Sequence, residues 1–123
     1  MTETPVKHTL AEALQTLVGG ELSSVTFVQD YVQLDFNGPG MTAYTMPTVT
    51  YGSESLKVGQ PGYRDALCAQ IGRKVERTEA DKQRVSIIFE GGGVVSVSLL
   101  DNDYRGPEAL LFSLDRKDRI WVV

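Results

Sequence analysis

Chemistry at neutral pH asks first for titratable or nucleophilic side chains, and this chain carries one histidine, His8, and one cysteine, Cys68. A single imidazole excludes any site that needs two. His8, Cys68 and a carboxylate together have the composition of a thiol nucleophile with its base. Cys68, however, has no signature neighbours and lies inside a helical pattern, which marks it as a small packed residue, while His8 falls in a solvated lead-in. No catalytic residue is assigned on this reading.

Two further patterns resemble ligand loops and fail on detail. The glycines Gly38, Gly40, Gly91 and Gly93 invite a phosphate-cradle reading, but strand-forming residues follow them where a cradle needs a helix N-terminus. Asp101 and Asp103 alternate before Gly106 as in a calcium loop, yet Arg105 stands at the third ligand position and no glutamate follows at the required distance. No metal or cofactor is expected. What remains is the cluster Asp101, Asp103, Tyr104, Arg105 and Glu108, with Tyr51 joined to it by an internal repeat. Tyrosine, guanidinium and carboxylates in one turn have the composition of a recognition surface, since Tyr and Arg supply much hot-spot energy. The alternatives are a turn that simply solvates its charges beside a buried Tyr104, and a small-ligand-binding or hydrolytic site that uses the loop carboxylates.

The elements that must position this cluster can be read from periodicity. Residues 84–100, RVSIIFEGGGVVSVSLL, form a β-hairpin pattern in which Val95, Val97 and Leu99 alternate with Ser96 and Ser98. A shift of 53 positions, from Val32 to Val85, reveals an earlier copy. Phe36, Gly38 and Gly40 fall on Phe89, Gly91 and Gly93, Val18 falls on Ile71, Leu22 on Val75, and Tyr51 on Tyr104. Turn glycines and core positions are what a duplicated unit preserves. The expectation is therefore an α+β domain spanning residues 1–123. Two repeats, at about residues 9–51 and 62–104, each comprise a helix and an antiparallel three-strand meander, and a C-terminal hairpin occupies residues 109–123.

In chain order, Thr9 and Glu12 have capping-box spacing ahead of Leu10, Ala13, Leu14 and Leu17, and Gly19 offers a stop. Tyr63, Ala66, Leu67 and Ile71 repeat the helix before Gly72, and residues 74–79 read as an edge strand protected by charge. Residues 47–62 lack clean periodicity and read as a long connection of the kind that often carries function. The two helices are expected to lie against one antiparallel sheet of about eight strands.

Sixteen acidic against twelve basic residues give a net charge of -4, and the basic residues are dispersed. A nucleic-acid partner is not expected, because such binding rests on phosphate neutralisation. One cysteine permits no internal disulfide and suits a reducing cytoplasm. No run approaches the roughly 20 apolar residues that span a bilayer, and the N-terminus does not read as a signal peptide. A cytoplasmic protein with a protein partner, or one that self-associates, is the expectation.

The run Tyr104, Arg105, Gly106, Pro107, Glu108, Ala109, followed by a strand and the closing Ile120, Trp121, Val122, resembles a group of small bacterial open reading frames with a Y-x-G-P-E-A turn. Gly72 and Val75 stand at the Gly and Val of their L-x-G-x-x-V opening with Ile71 one place after the Leu position, and Glu90 and Gly91 stand at the D-G of their F-x-D-G hairpin, with Glu in place of Asp and Phe89 one place after the Phe position. The resemblance covers mainly the second half of the chain and implies a bacterial source and an α+β fold. In general character the chain is also similar to immunity proteins that neutralise secreted toxins. The first resemblance carries over no catalytic residue; the expectation of a non-catalytic protein-binding module rests on the absence of a catalytic constellation, the negative charge and the composition of the Tyr104 loop.

Overall fold

The computed structural model describes residues 9–114 and 120–123. The expected lead-in, His8 and the charged turn at residues 115–119 lie outside the described residues. The fold is α+β. Its described strands are β1 (Ser24–Val28), β2 (Tyr31–Asp35), β3 (Gly40–Ala43), β4 (Thr48–Tyr51), β5 (Glu54–Leu56), β6 (Val75–Ala80), β7 (Arg84–Phe89), β8 (Val94–Ser98), β9 (Leu110–Ser113) and β10 (Ile120–Val122). Helix α1 is Leu10–Leu14, continued by a 3₁₀ turn at Gln15–Leu17, and α2 is Tyr63–Cys68.

The capping box forms as its spacing requires: the Glu12 N–H donates to Thr9 Oγ1 at 3.1 Å and the Thr9 N–H donates to Glu12 Oε1 at 2.8 Å. Helices this short do not stand alone in water, so tertiary packing must hold them. α1 packs against β6, and α2 packs against β1 and β4. The helix of each half therefore leans on the first strand of the other.

One sheet of about eight strands is the simplest arrangement for the sequence pattern, and the structure corrects it. Two five-stranded antiparallel sheets form, in the orders β1-β2-β3-β9-β10 and β5-β4-β8-β7-β6. The reason is an exchange of hairpins. β4–β5 follows the first meander but pairs with β8 of the second, and β9–β10 follows the second meander but pairs with β3 of the first. Residues 47–62, expected to be an irregular connection, supply β4 and β5, whose register sets Tyr51 opposite Glu54 around a two-residue turn. Their only deeply buried side chain is Val49, too little for a period of two to show.

The registers of the two exchanges correspond. Thr42 faces Leu111 and Val95 faces Val49; Ala43 faces Leu110 and Ser96 faces Thr48. The shift between the halves is thus 53 positions from β3 to β8 and 62 from Thr48 to Leu110. The excess lies in the link to β9. Residues 44–47 suffice between β3 and β4, whereas residues 99–109 separate β8 from β9.

Glu21 and Lys74, themselves 53 apart, form an antiparallel bridge joining the halves. The Gly19 N–H donates to the Val75 carbonyl at 2.9 Å and the Gly72 N–H to the Leu22 carbonyl at 2.8 Å. The Leu22 N–H likewise donates to the Arg73 carbonyl at 3.2 Å and the Val75 N–H to the Gly20 carbonyl at 2.8 Å. One core serves both sheets: Leu34, Phe36, Ile87 and Phe89 are buried in a single cluster with Leu14, Leu67 and Phe112. Val18 and Ile71, matched by sequence as apolar positions and expected to face inward, are each 43% exposed. Each precedes a positive-φ glycine where the chain leaves its helix, so neither continues the buried stripe.

β6 is an edge strand as expected. Its outward charges include Arg77, which reaches Glu76 at 3.5 Å and Glu79 at 3.3 Å, and a bulge between Val75 and Arg77 interrupts its pairing. Charge and a bulge both discourage another strand from adding at that edge.

Candidate functional site

The loop after β8 is fastened at both ends. At its start the Ser98 hydroxyl donates to Asp103 Oδ2 and accepts from the Leu100 N–H, and a 3₁₀ turn covers Asp101–Asp103. At its end Ala109 is fully buried; its carbonyl accepts from the N–H groups of Tyr44 and Thr45 at 2.8 and 3.0 Å, and its N–H donates to the Val123 carbonyl at 2.7 Å. Between these anchors Arg105, Gly106 and Pro107 are exposed. A pinned loop with an exposed tip holds a side chain in place without burying it.

The six residues singled out by sequence do not all meet. Asp101 and Asp103 are exposed, and Glu108 is half-buried. Tyr104 is half-buried against the core, and its hydroxyl has no hydrogen-bond partner among the described residues. Arg105 is exposed and forms no ion pair among the described residues, although three carboxylates belong to its own turn. Tyr51 lies elsewhere. β4 runs antiparallel to β8, so Tyr51 sits at the end of β4 away from the loop, 38% exposed, with the Arg73 guanidinium 5.9 Å above its ring. Strand register makes β4 the counterpart of β9, and the ungapped match of Tyr51 with Tyr104 therefore corresponds to no equivalence of place.

Arg105 stands between two hollows. One, of about 400 Å³, is bounded by Asp30, Tyr44, Pro107 and Glu108; the other, of about 240 Å³, by Thr45, Thr48, Lys57, Val58 and Asp103. Met46 and Val58 continue the second hollow into a cleft of about 410 Å³ beside Phe27, Tyr63 and Arg64. The loop carboxylates are thereby divided: Glu108 faces the first hollow, Asp103 the second, and Asp101 neither. The three loop carboxylates therefore do not meet in one hollow, and Glu108 shares the first with Asp30. Among the described residues no group of three or more His, Cys, Asp or Glu side chains could hold a metal ion.

The walls of this face are fixed from behind. The rings of Tyr31 and Tyr44 meet at 5.6 Å and 60°, an edge-tilted pair. Arg64 lies 5.3 Å above the Phe27 ring. Tyr63 is buried and donates its hydroxyl to the Pro47 carbonyl at 2.6 Å, and desolvation pushes its pKa from 10.0 to about 12.

The cleft beside Phe27 has a counterpart. Phe27, Gln29, Met46, Gly62, Tyr63 and Arg64 line one, and Ala80, Lys82, Leu99, Thr9, Leu10 and Ala11 line another of about 470 Å³, each position 53 from its partner. Tyr104, carried by the longer loop, borders only the second. Sequence reasoning missed Tyr44, Thr45, Thr48, Lys57 and Val58. The usable signal was the irregular stretch at residues 47–62, which contains Thr48, Lys57 and Val58. Comparison with family models, curated proteins and solved structures finds no match to the chain.

Proposed function

We propose that the chain is a non-catalytic protein-binding module that engages its partner through the face centred on Arg105. The observation that carries this reading is where the two halves differ. The link between β8 and β9 is the long one, and its exposed tip holds a guanidinium with no internal partner among the described residues. An Arg unpaired among the described residues, on a backbone anchored at both ends and flanked by Tyr44 and Pro107, is the composition of an interface hot spot. On this reading the two halves descend from a duplicated helix-and-meander unit, and the inserted loop is what one copy gained. The partner is a protein, as for the immunity proteins that the sequence resembles in character, and the setting is a bacterial cytoplasm.

The test is Arg105→Ala beside the control Arg84→Ala, another exposed arginine. Both variants should keep the wild-type unfolding free energy to within about 0.5 kcal/mol. Capture of a defined partner from lysate of the source organism should weaken in Arg105→Ala by about 2 kcal/mol or more and stay unchanged in the control. Equal capture by both variants, or lost stability in Arg105→Ala, overturns the proposal.

A further inference from the structure

We infer that the hollow between Thr48, Lys57 and Arg105 is an oxyanion site that takes a phosphate or carboxylate group. Its assignment to a group on the partner rests on the binding-module reading; the site itself rests on three donors on its walls and an orphan hydroxyl enclosed directly behind them. Lys57 and Arg105 are exposed on its rim, and among the described residues neither side chain is paired with a carboxylate. Thr48 is half-buried, and its hydroxyl makes no hydrogen bond among the described residues. Thr45 also lines the hollow; it is only 6% exposed, and its Oγ1 is enclosed without any partner among the described residues.

Orphan hydroxyls of that kind are uncommon inside proteins, because an unmade hydrogen bond leaves the desolvation penalty uncompensated. Ser98 is different, since its hydroxyl is already engaged with Asp103 and with the Leu100 N–H. Asp103, the one carboxylate on the rim among the described residues, already accepts that hydroxyl at Oδ2. Two cations against one carboxylate leave a local positive excess on a chain whose total charge is -4.

The chemistry of the occupant follows from what the walls lack. Ammonium, guanidinium and hydroxyl groups all need acceptors, and an oxyanion offers acceptors only. A cation would meet Lys57 and Arg105 directly. An apolar group would offer no acceptor to the ammonium, guanidinium and hydroxyl groups of the walls and would displace water from them without replacing its hydrogen bonds. A cavity of about 240 Å³ admits a single phosphate or carboxylate group on a short stem and excludes a bulky ligand.

The experiment is a titration of the full chain with inorganic phosphate and, separately, with acetate, at constant pH and ionic strength, followed by backbone-amide NMR with chloride as control. Saturable shifts are expected at Thr45, Thr48, Lys57 and Arg105. Arg105→Gln should raise the Kd about tenfold, the worth of one charge-assisted hydrogen bond. Thr45→Val should also raise the Kd while leaving the thermal midpoint unchanged or higher, because it removes an unpartnered hydroxyl. Arg84→Gln should change nothing. Saturation with phosphate alone assigns a phosphate group, and saturation with both admits a carboxylate. Shifts that grow linearly, match those with chloride, or saturate with an unchanged Kd in Arg105→Gln overturn the site. Failure of the site with partner capture intact leaves the binding module standing, whereas saturable anion binding without a partner keeps the site and removes the module.

Discussion

The side chain of Gln70 occupies the space where a Cβ on Gly93 would stand, so the glycine just before β8 and the buried glutamine just after α2 are fitted to one another. Gln70 is fully buried and donates Nε2 to the Ala66 carbonyl at 3.1 Å. Gly93→Ala should therefore destabilise by about 1–3 kcal/mol, the range for forcing atoms into a filled core. In Gln70→Ala/Gly93→Ala the obstacle is gone. Urea titrations of both single variants and the double variant should show a combined loss smaller than the sum by at least about 0.5 kcal/mol. Strict additivity would show that the two positions do not share the space.

Gly19 and Gly72 both have φ of 88°, and among the described residues, chain neighbours aside, no atom lies within 4 Å of where a Cβ would stand on either, so an alanine there meets backbone strain. Each also donates across the junction of the halves. Gly19→Ala and Gly72→Ala should each lose about 1–2 kcal/mol, and by similar amounts, because the conformational penalty is the same at both. Chemical denaturation reads both directly. A clear loss at one glycine and none at the other would mean that only one side of the junction depends on the left-handed turn.

The parts of this fold legible in the sequence are those where one segment carries its own signal. β7 and β8 show Val85 opposite Val97 and Ile87 opposite Val95, with Gly91 and Gly92 at φ of 95° and 96° turning the chain between them. The capping box of Thr9 and Glu12 is similarly local. β4 and β5 were hidden because Thr48, Thr50, Ser55 and Glu54 outweigh Val49 and Leu56 in their short runs. The exchange of hairpins between sheets has no local signature at all. Nor does the candidate site: Arg105 and Tyr104 were legible as residue types in a shaped turn, whereas Thr45, Thr48 and Lys57 reach Arg105 only through non-local pairing, of β4 with β8 and of the Thr45 N–H with the Ala109 carbonyl.

Phe89 and Ile71 test the assignment of faces. Phe89 is fully buried opposite Val75, whereas Ile71 is an apolar side chain left largely in water. Phe89→Ala should cost about 3–5 kcal/mol, since transfer and cavity terms add at a packed aromatic. Ile71→Ala should change stability by no more than about 0.5 kcal/mol. Matched urea midpoints would separate them, and similar losses at both positions would contradict the burial of the β7 face.

Tyr63 couples the fold to alkaline pH. Its phenol is buried against the Pro47 carbonyl, and desolvation raises its pKa from 10.0 to about 12. Burial favours the neutral form, so the folded state holds the phenolic proton more tightly than the unfolded chain does. The stability linked to this group is fully present below pH 10, and it is lost as pH rises from there through about 12. Tyr63→Phe removes the titrating group and leaves the Pro47 carbonyl unpaired, which should cost about 1–3 kcal/mol at pH 7. The wild-type advantage should then shrink between pH 10 and 12, because only the wild type must ionise or hold that phenol as it unfolds. Urea midpoints of both proteins at pH 7, 9, 10.5 and about 11.5 measure the difference. A gap that stays constant across this series would place the Tyr63 hydroxyl in contact with water and refute its role in fastening Pro47.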